Sequence, residues 1–372
     1  MFSTRLKLFS RFIICKRFQS SVMDDVVFEE INNVGIITLN RQKALNSLNE
    51  SMVKKIIPKL KDYESRARMV IIHGAGEKSF CAGGDVKYIT ESGPNGDSLE
   101  RGTKFFKQEY SMNSIIGNYK IPYISLIDGI TMGGGVGISV HGKYRIATEK
   151  TLFAMPETAI GLFCDVGASY VLSRMEKHLG VMLGLTGYRL KGTDVVKAGI
   201  ATHYINSSKL NNLKIKLIED TRNPELVLKE NTDCLNNVQF SLQPFLEKID
   251  LIFSNENVEV IFDSLEKDQS EWSQKTLKTL KEVSPLSLKI TRKEILNGKN
   301  LDLNDCLKME YRLAYRCVEA KYSTDFYEGV RALLIDKDKN PKWTHRSIKD
   351  VKDETVEKYF EPLPKDIELQ LV

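Results

Sequence analysis

The 372-residue chain is poor in the patterns from which metal centres and disulfide frameworks are made. Its six cysteines (15, 81, 164, 234, 306 and 317) show no Cys-x-x-Cys spacing, and its five histidines (73, 141, 178, 203 and 345) include no His-x-x-x-His pair. The thiols are therefore expected to be reduced, and neither a zinc site nor a metal hydrolase is indicated. No stretch approaches the run of about eighteen apolar residues that a membrane-spanning helix needs. Internal repeats and low-complexity linkers are also missing.

Acids are missing from the N-terminus, where Arg5, Lys7, Arg11, Lys16 and Arg17 all precede the first one, Asp24. Phe2, Leu6, Phe9 and Ile13 recur there at helical spacing, and the apolar run 12–15 is too short for a secretory signal. A mitochondrial transit peptide is expected over residues 1–22, with a soluble mature chain in the matrix starting near residues 20–23; a disordered basic tail is the alternative. The five basic residues account for the whole net charge of +5, so the remainder is neutral. Its net charge gives no reason to expect a nucleic-acid surface.

What is present reads as a mixed α/β fold. Apolar residues make up 42% of the chain, enough for a large core. Val26-Val-Phe-Glu-Glu-Ile31, a turn at Asn32-Asn33 and Val34-Gly-Ile-Ile-Thr-Leu39 predict a hairpin. An amphipathic helix carrying Met52, Ile56, Ile57 and Leu60 follows, then a strand over 69–73, and the order of strand, polar loop and helix recurs. A second such strand, 123–128, runs into Met132-Gly-Gly-Gly135 and a buried helix over 136–141.

Two glycine loops can bring backbone N–H groups up to a ligand: Gly83-Gly84 and Gly133-Gly134-Gly135. The second opens a helix, whose first-turn amides lack internal partners and carry partial positive charge. Two separately supplied donors are what an oxyanion hole requires, although glycine also serves tight turns and close helix–strand packing. Glu157 lies between apolar stretches, where a carboxylate is costly without a task. Asp165 follows, and by its spacing alone it also suits the N-cap of the next helix.

In the order Ile37-Thr-Leu-Asn-Arg41, Cys81-Ala-Gly-Gly-Asp85, Met132-Gly-Gly-Gly135 and Met155-Pro-Glu157, the chain resembles the crotonase (enoyl-CoA hydratase/isomerase) superfamily. The likeness is strong over 26–205 and weaker beyond, apart from Ser284-Pro285 and Phe326-Tyr-Glu-Gly329. It implies an acyl-CoA substrate and a ClpP-like ββα spiral core over 23–210, followed by a helical C-terminal region over 211–372 that helps cover the acyl-CoA. It places an oxyanion hole at Gly84 and Gly134, CoA contacts at Lys43, Ala44, Leu45, Ala82 and Asp85, and Glu109 near the acyl group. No metal and no cofactor is implied, CoA being part of the substrate, and a homo-oligomer is possible.

One departure selects a branch. Hydratases of the superfamily carry a glutamate three residues after the central glycine of the triplet, and here that position is Gly137. Glu157 and Asp165, in Met-Pro-Glu-Thr-Ala-Ile-Gly-Leu-Phe-Cys-Asp-Val-Gly, resemble instead the branch that hydrolyses 3-hydroxyisobutyryl-CoA in valine breakdown. That resemblance implies catalytic roles for Glu157, as nucleophile or general base, and for Asp165, holding water or the 3-hydroxyl. An enoyl-CoA hydratase or isomerase, and a mitochondrial ribosome-associated member of the family, are the alternatives. Gln42 and Cys164 stand where the resemblance leads one to expect proline, and Cys164 is expected to leave the loop between the two carboxylates more mobile. In the C-terminal region, helices are expected near 213–219, over 238–253 and over 271–283, and residues 353–372 are expected to lie loosely on the surface.

Overall fold

The computed structural model describes residues 24–371, so the transit-peptide expectation lies outside the described residues. Val26–Ile31 (β1) and Val34–Leu39 (β2) form the hairpin, turning through Asn32 and Asn33 at φ 52° and 58°. Two left-handed residues in succession give a turn whose twist matches that of the strands, and asparagine tolerates that region better than most residues.

Eight more strands follow: Met69–Gly74 (β3), Ser79–Cys81 (β4), Tyr123–Ile127 (β5), Ile130–Met132 (β6), Tyr144–Ala147 (β7), Leu152–Ala154 (β8), Leu190–Lys191 (β9) and His203–Tyr204 (β10). One sheet has the order β1-β2-β3-β5-β7-β10 and is parallel except for the hairpin. The other has the order β4-β6-β8-β9 and is parallel except for its last pair. From β3 to β8 each turn of chain adds a strand to the first sheet and then one to the second, after which β9 closes the second sheet and β10 the first. Helices Ser98–Gly117 and Gly134–Val140 return it for the next turn. This is the ββα spiral that the resemblance implied.

The main sheet is buried on both faces, as parallel sheets are. Ile37, Leu39, Val70 and Ile72 face the large core shared with the second sheet and most of the helices. Their neighbours Val34, Ile36, Met69 and Ile71 face a separate layer made by Leu213, Leu217, Val227 and Leu228. Residue 210 thus falls inside the Ser207–Glu219 helix, which covers the outer face of the sheet.

Among the C-terminal helices, Pro285–Gly298 and Leu303–Glu319 matter most to the interior. Each begins at a side-chain cap, Ser284 accepting from the Ser287 N–H and Asp302 from the Asp305 N–H. The second lies along Ser98–Gly117 and contributes Cys306, Leu307, Leu313 and Ala314 to the core. Two expectations fail here. The helix expected over 238–253 is confined to Leu246–Phe253, after a short 3-10 turn at Gln243–Phe245, because Pro244 offers no N–H to a helix that began earlier. The chain end is not loose: Asp353–Phe360 is a helix, and Val356, Tyr359, Leu363 and Leu369 are buried in the core. Their spacing outweighs the charged residues between them, which simply point to solvent.

Candidate active site

The glycine triplet divides its labour. Gly133 has φ 47° and Gly83, in the facing loop, φ 115°, both conformations that residues with a Cβ rarely adopt. Gly135 is pressed against the Cys81 carbonyl, where a Cβ would overlap it, so this glycine serves packing. Gly134 opens the helix, and a Cβ built on it would overlap Glu109 Oε1 and stand 3.2 Å from the Gly84 nitrogen. The two amides are thus neighbours. Among the described residues neither N–H donates to a backbone carbonyl.

Carboxylates close in on this cradle. A Cβ on Gly133 would lie 2.8 Å from Glu157 Oε1. The structure therefore brings Gly84, Gly134, Glu109 and Glu157 into one enclosure, with Glu109 1% and Glu157 5% exposed. Glu109 Oε1 and Glu157 Oε2 are buried with no hydrogen-bond partner among the described residues. Asp165 joins through the same long helix that carries Glu109, since the Tyr110 O–H donates to Asp165 Oδ2 at 2.9 Å. Its side chain does not cap the next helix: Gly167 is the N-cap of Ala168–Leu172 and no side chain closes it locally.

That capping task falls to a residue the sequence did not suggest. Glu310, on Leu303–Glu319, accepts from the Gly167 N–H at 2.6 Å, the Ser169 N–H at 3.0 Å and the Ser169 O–H at 2.5 Å. Glu294, on Pro285–Gly298, accepts from the Cys164 N–H at 3.1 Å. His141 Nε2–H donates to the Val166 carbonyl at 2.7 Å. Between these three anchors Val166 sits at φ 58°, a strained conformation for a β-branched residue, and Asp165 is aimed by it. Against the mobility expected of Cys164 stands an anchor: a proline would have no N–H for Glu294, and the cysteine supplies one.

The preceding segment is held as tightly. Gly161 lies against the Asp325 backbone and Gly329 against the Ile160 backbone, each so close that a Cβ would overlap, and the Ser284 N–H donates to the Thr158 carbonyl at 3.2 Å. The two distant motifs at Ser284 and Phe326–Gly329 are thus the clamp on the Glu157 turn. The expected CoA positions form a separate lip. Lys43 is exposed, Ala44 and Leu45 are half-buried beside it, and the Ala82 N–H donates to the Leu45 carbonyl at 3.1 Å. Asp85 pairs with Arg41 at 2.9 Å. This lip meets the cradle through Leu48, whose N–H donates to the Gly83 carbonyl at 2.8 Å.

Burial dominates the electrostatics. It pushes Asp165 up to about 7 against the opposing Tyr110 bond, and Glu310 up to about 8 against the bonds from Ser169 and Gly167. Glu109, Glu157 and Glu294 are raised well above the carboxylate range, first by burial and then by neighbouring carboxylates, with Asp165 acting on all three. Burial likewise lowers His141 to about 4, so it is neutral at physiological pH. Unfolded carboxyls titrate near 4, so across the interval up to about 7–8 the folded chain holds protons that the unfolded chain has released. The associated stability is complete below that interval and is lost as pH rises through it. The thermal midpoint is expected to fall between pH 5 and 8, and to fall less in Asp165→Asn, which removes one titrating group. Identical slopes in the two proteins would contradict it.

Gly137 is closed to a side chain. A Cβ there would lie 2.6 Å from Val166 Cβ and 2.8 Å from Asn113 Nδ2, so the position where hydratases carry their second glutamate has no room for any side chain. Among the described residues no group of three His, Cys, Asp or Glu is placed to hold a metal, and no helix is long and apolar enough to cross a membrane.

A spiral of paired strands enclosing two unengaged backbone amides and a buried glutamate defines a class, and the chain belongs to the enoyl-CoA hydratase/isomerase family, whose model matches residues 34–360. Within it, the chain is 47% identical over 356 residues to the Danio rerio protein named "3-hydroxyisobutyryl-CoA hydrolase, mitochondrial", covering 92% of this chain and 91% of that one. The Gallus gallus and Homo sapiens proteins of the same name are 46% and 44% identical, covering 96% and 91% of this chain and 96% and 89% of theirs. Among solved structures, a carnitinyl-CoA dehydratase from Mycobacterium thermoresistibile superimposes with a TM-score of 0.86 at 34% identity, covering 93% of this chain and 98% of that one. An enoyl-CoA hydratase from Rhodobacter sphaeroides gives 0.85 at 34% identity, covering 94% and 100%.

Proposed function

We propose that the chain hydrolyses 3-hydroxyisobutyryl-CoA, and the smaller 3-hydroxypropionyl-CoA, to the free hydroxy acid and CoA, as a step of valine breakdown in the mitochondrial matrix. The observation that carries the reading is the enclosed Glu157 beside the Gly84 and Gly134 amides, with the second hydration carboxylate sterically barred at Gly137. The names of the curated relatives support the substrate and the organelle. The hydratase and dehydratase titles of the solved structures describe proteins that share the scaffold, and the closed Gly137 position argues against carrying their chemistry over to this chain.

The thioester carbonyl oxygen enters the cradle between the Gly84 and Gly134 N–H groups. Negative charge grows on that oxygen as the carbonyl carbon is attacked, and each preorganised donor is worth about 3 kcal/mol in the barrier. Glu157 either attacks the carbon itself, giving a mixed anhydride that water then cleaves, or takes a proton from the attacking water. Either route needs Glu157 ionised, which its burial and then the Asp165 carboxylate oppose and hydrogen bonding at the turn favours. Asp165, held by Tyr110, faces the water or the 3-hydroxyl. The reaction draws on no cofactor, since CoA arrives with the substrate.

The test supplies crotonyl-CoA and 3-hydroxyisobutyryl-CoA to the purified protein and follows hydration of the first against free thiol from the second. Thiol release is expected to dominate; hydration faster than thiol release would overturn the reading.

A further inference from the structure

We infer that Asn113 recognises the 3-hydroxyl of the acyl chain, an inference that rests on the thioesterase reading above. Asn113 lies one helical turn beyond Glu109 on Ser98–Gly117 and is fully buried, yet neither its Oδ1 nor its Nδ2 has a hydrogen-bond partner among the described residues. A buried carboxamide with donor and acceptor both unmatched lowers stability, and leucine would fill a similar volume without that cost. Packing therefore does not account for the amide. A ligand that both donates and accepts does, and a hydroxyl is such a group.

The position fits the acyl chain. Asn113 Nδ2 stands 2.8 Å from the point where a Cβ of Gly137 would be, and Val166, the residue that follows Asp165 in the chain, borders the same point. Gly137 lies three residues after Gly134 on the same face of their helix, about 4.5 Å further along its axis. With the thioester carbonyl in the cradle at Gly134, which Glu109 Oε1 borders, an acyl chain directed along the Ser98–Gly117 helix from Glu109 brings the oxygen on its third carbon to the Asn113 amide one turn further on. Asp165 is less free to serve alone, because Tyr110 already occupies Oδ2. Hydroxyl recognition is thus divided: Asn113 supplies the neutral donor and acceptor, and Asp165 the remaining carboxylate oxygen. A charged side chain at 113 would add to an enclosure in which Asp165 already raises Glu109 and Glu157.

The test compares 3-hydroxyisobutyryl-CoA with isobutyryl-CoA, which lacks only the hydroxyl, in the full chain carrying Asn113→Leu or Asn113→Ser. Asn113→Leu is expected to lower kcat/KM for the hydroxylated substrate at least about tenfold and for isobutyryl-CoA less than about threefold, since a site built for a hydroxyl loses most on the substrate that has one. Its thermal midpoint should be equal or higher, because an unmatched polar group has been replaced by an apolar one. Asn113→Ser, which keeps a small donor and acceptor, should retain part of the discrimination. Calorimetric binding of both thioesters to Glu157→Gln, with and without Asn113→Leu, reads the hydroxyl preference without turnover. Equal losses on both substrates, an unchanged ratio, or a lowered midpoint would each overturn the assignment. Absence of thiol release from either substrate in the unmodified protein would instead sink the thioesterase reading, and the calorimetric preference would still decide the role of Asn113.

Discussion

Glu157→Gln is expected to lower thiol release from 3-hydroxyisobutyryl-CoA by at least about a hundredfold, the scale of losing a general base. The carboxamide keeps the size of the side chain and removes its charge, so neither attack on the carbonyl carbon nor proton abstraction from water remains open to it. Folding should survive, because Glu157 Oε2 has no hydrogen-bond partner to lose and the charged form is disfavoured, first by burial and then by Asp165. Substrate affinity should change little, since the amides of Gly84 and Gly134 still receive the carbonyl. The measurement is single-turnover thiol release together with Kd for the intact thioester. Turnover within about threefold of the unmodified protein would remove Glu157 from the chemistry and assign the role of nucleophile or base to another carboxylate of the enclosure.

Asp165→Asn offers the contrast. Asparagine would cap a helix nearly as well as aspartate, but this side chain caps none: Glu310 satisfies the Gly167 and Ser169 amides, and Asp165 takes its bond from Tyr110. Losing the charge should therefore act on hydrolysis and on the pH dependence of stability rather than on the helix start.

How much of this was legible in the chain depends on sequence distance. The hairpin was, because Asn32-Asn33 between two apolar runs is a local instruction that the strands obey. The glycine loops and the buried Glu157 were legible as types, through residues that make no sense in an ordinary core. Each glycine's separate task was not, because packing against Cys81 and facing Glu109 are indistinguishable before the loops meet. Least legible were Glu294 and Glu310, to which nothing in the sequence pattern pointed. Their partners Cys164, Gly167 and Ser169 are remote in sequence, and only the docking of the C-terminal helices brings them together. The C-terminal region looked like a cover; it also sets the backbone that carries both candidate carboxylates. The chain end was misread for a related reason, since Tyr359 and Leu369 find their apolar neighbours only in the assembled core.

Gly134→Ala should lower kcat/KM by about a hundred- to a thousandfold, comparable to removing one oxyanion donor, while leaving the fold intact. The helix itself has no objection: Gly134 is its first residue, its φ is not in the left-handed region, and alanine is the better helix former by about 1 kcal/mol. The objection comes from the cradle, where the added methyl would overlap Glu109 Oε1 and stand 3.2 Å from the Gly84 nitrogen, in the space a carbonyl oxygen needs between the two amides. Gly135→Ala provides the control, because its methyl meets the Cys81 backbone carbonyl and not the cradle, so it should cost stability before it costs chemistry. The two variants are compared by thermal midpoint and by thiol release per folded molecule. If Gly134→Ala turns over within about threefold of the unmodified protein at an unchanged midpoint, the carbonyl oxygen does not lie between Gly84 and Gly134. If instead activity falls in step with the midpoint in both variants, the triplet is only a packing device.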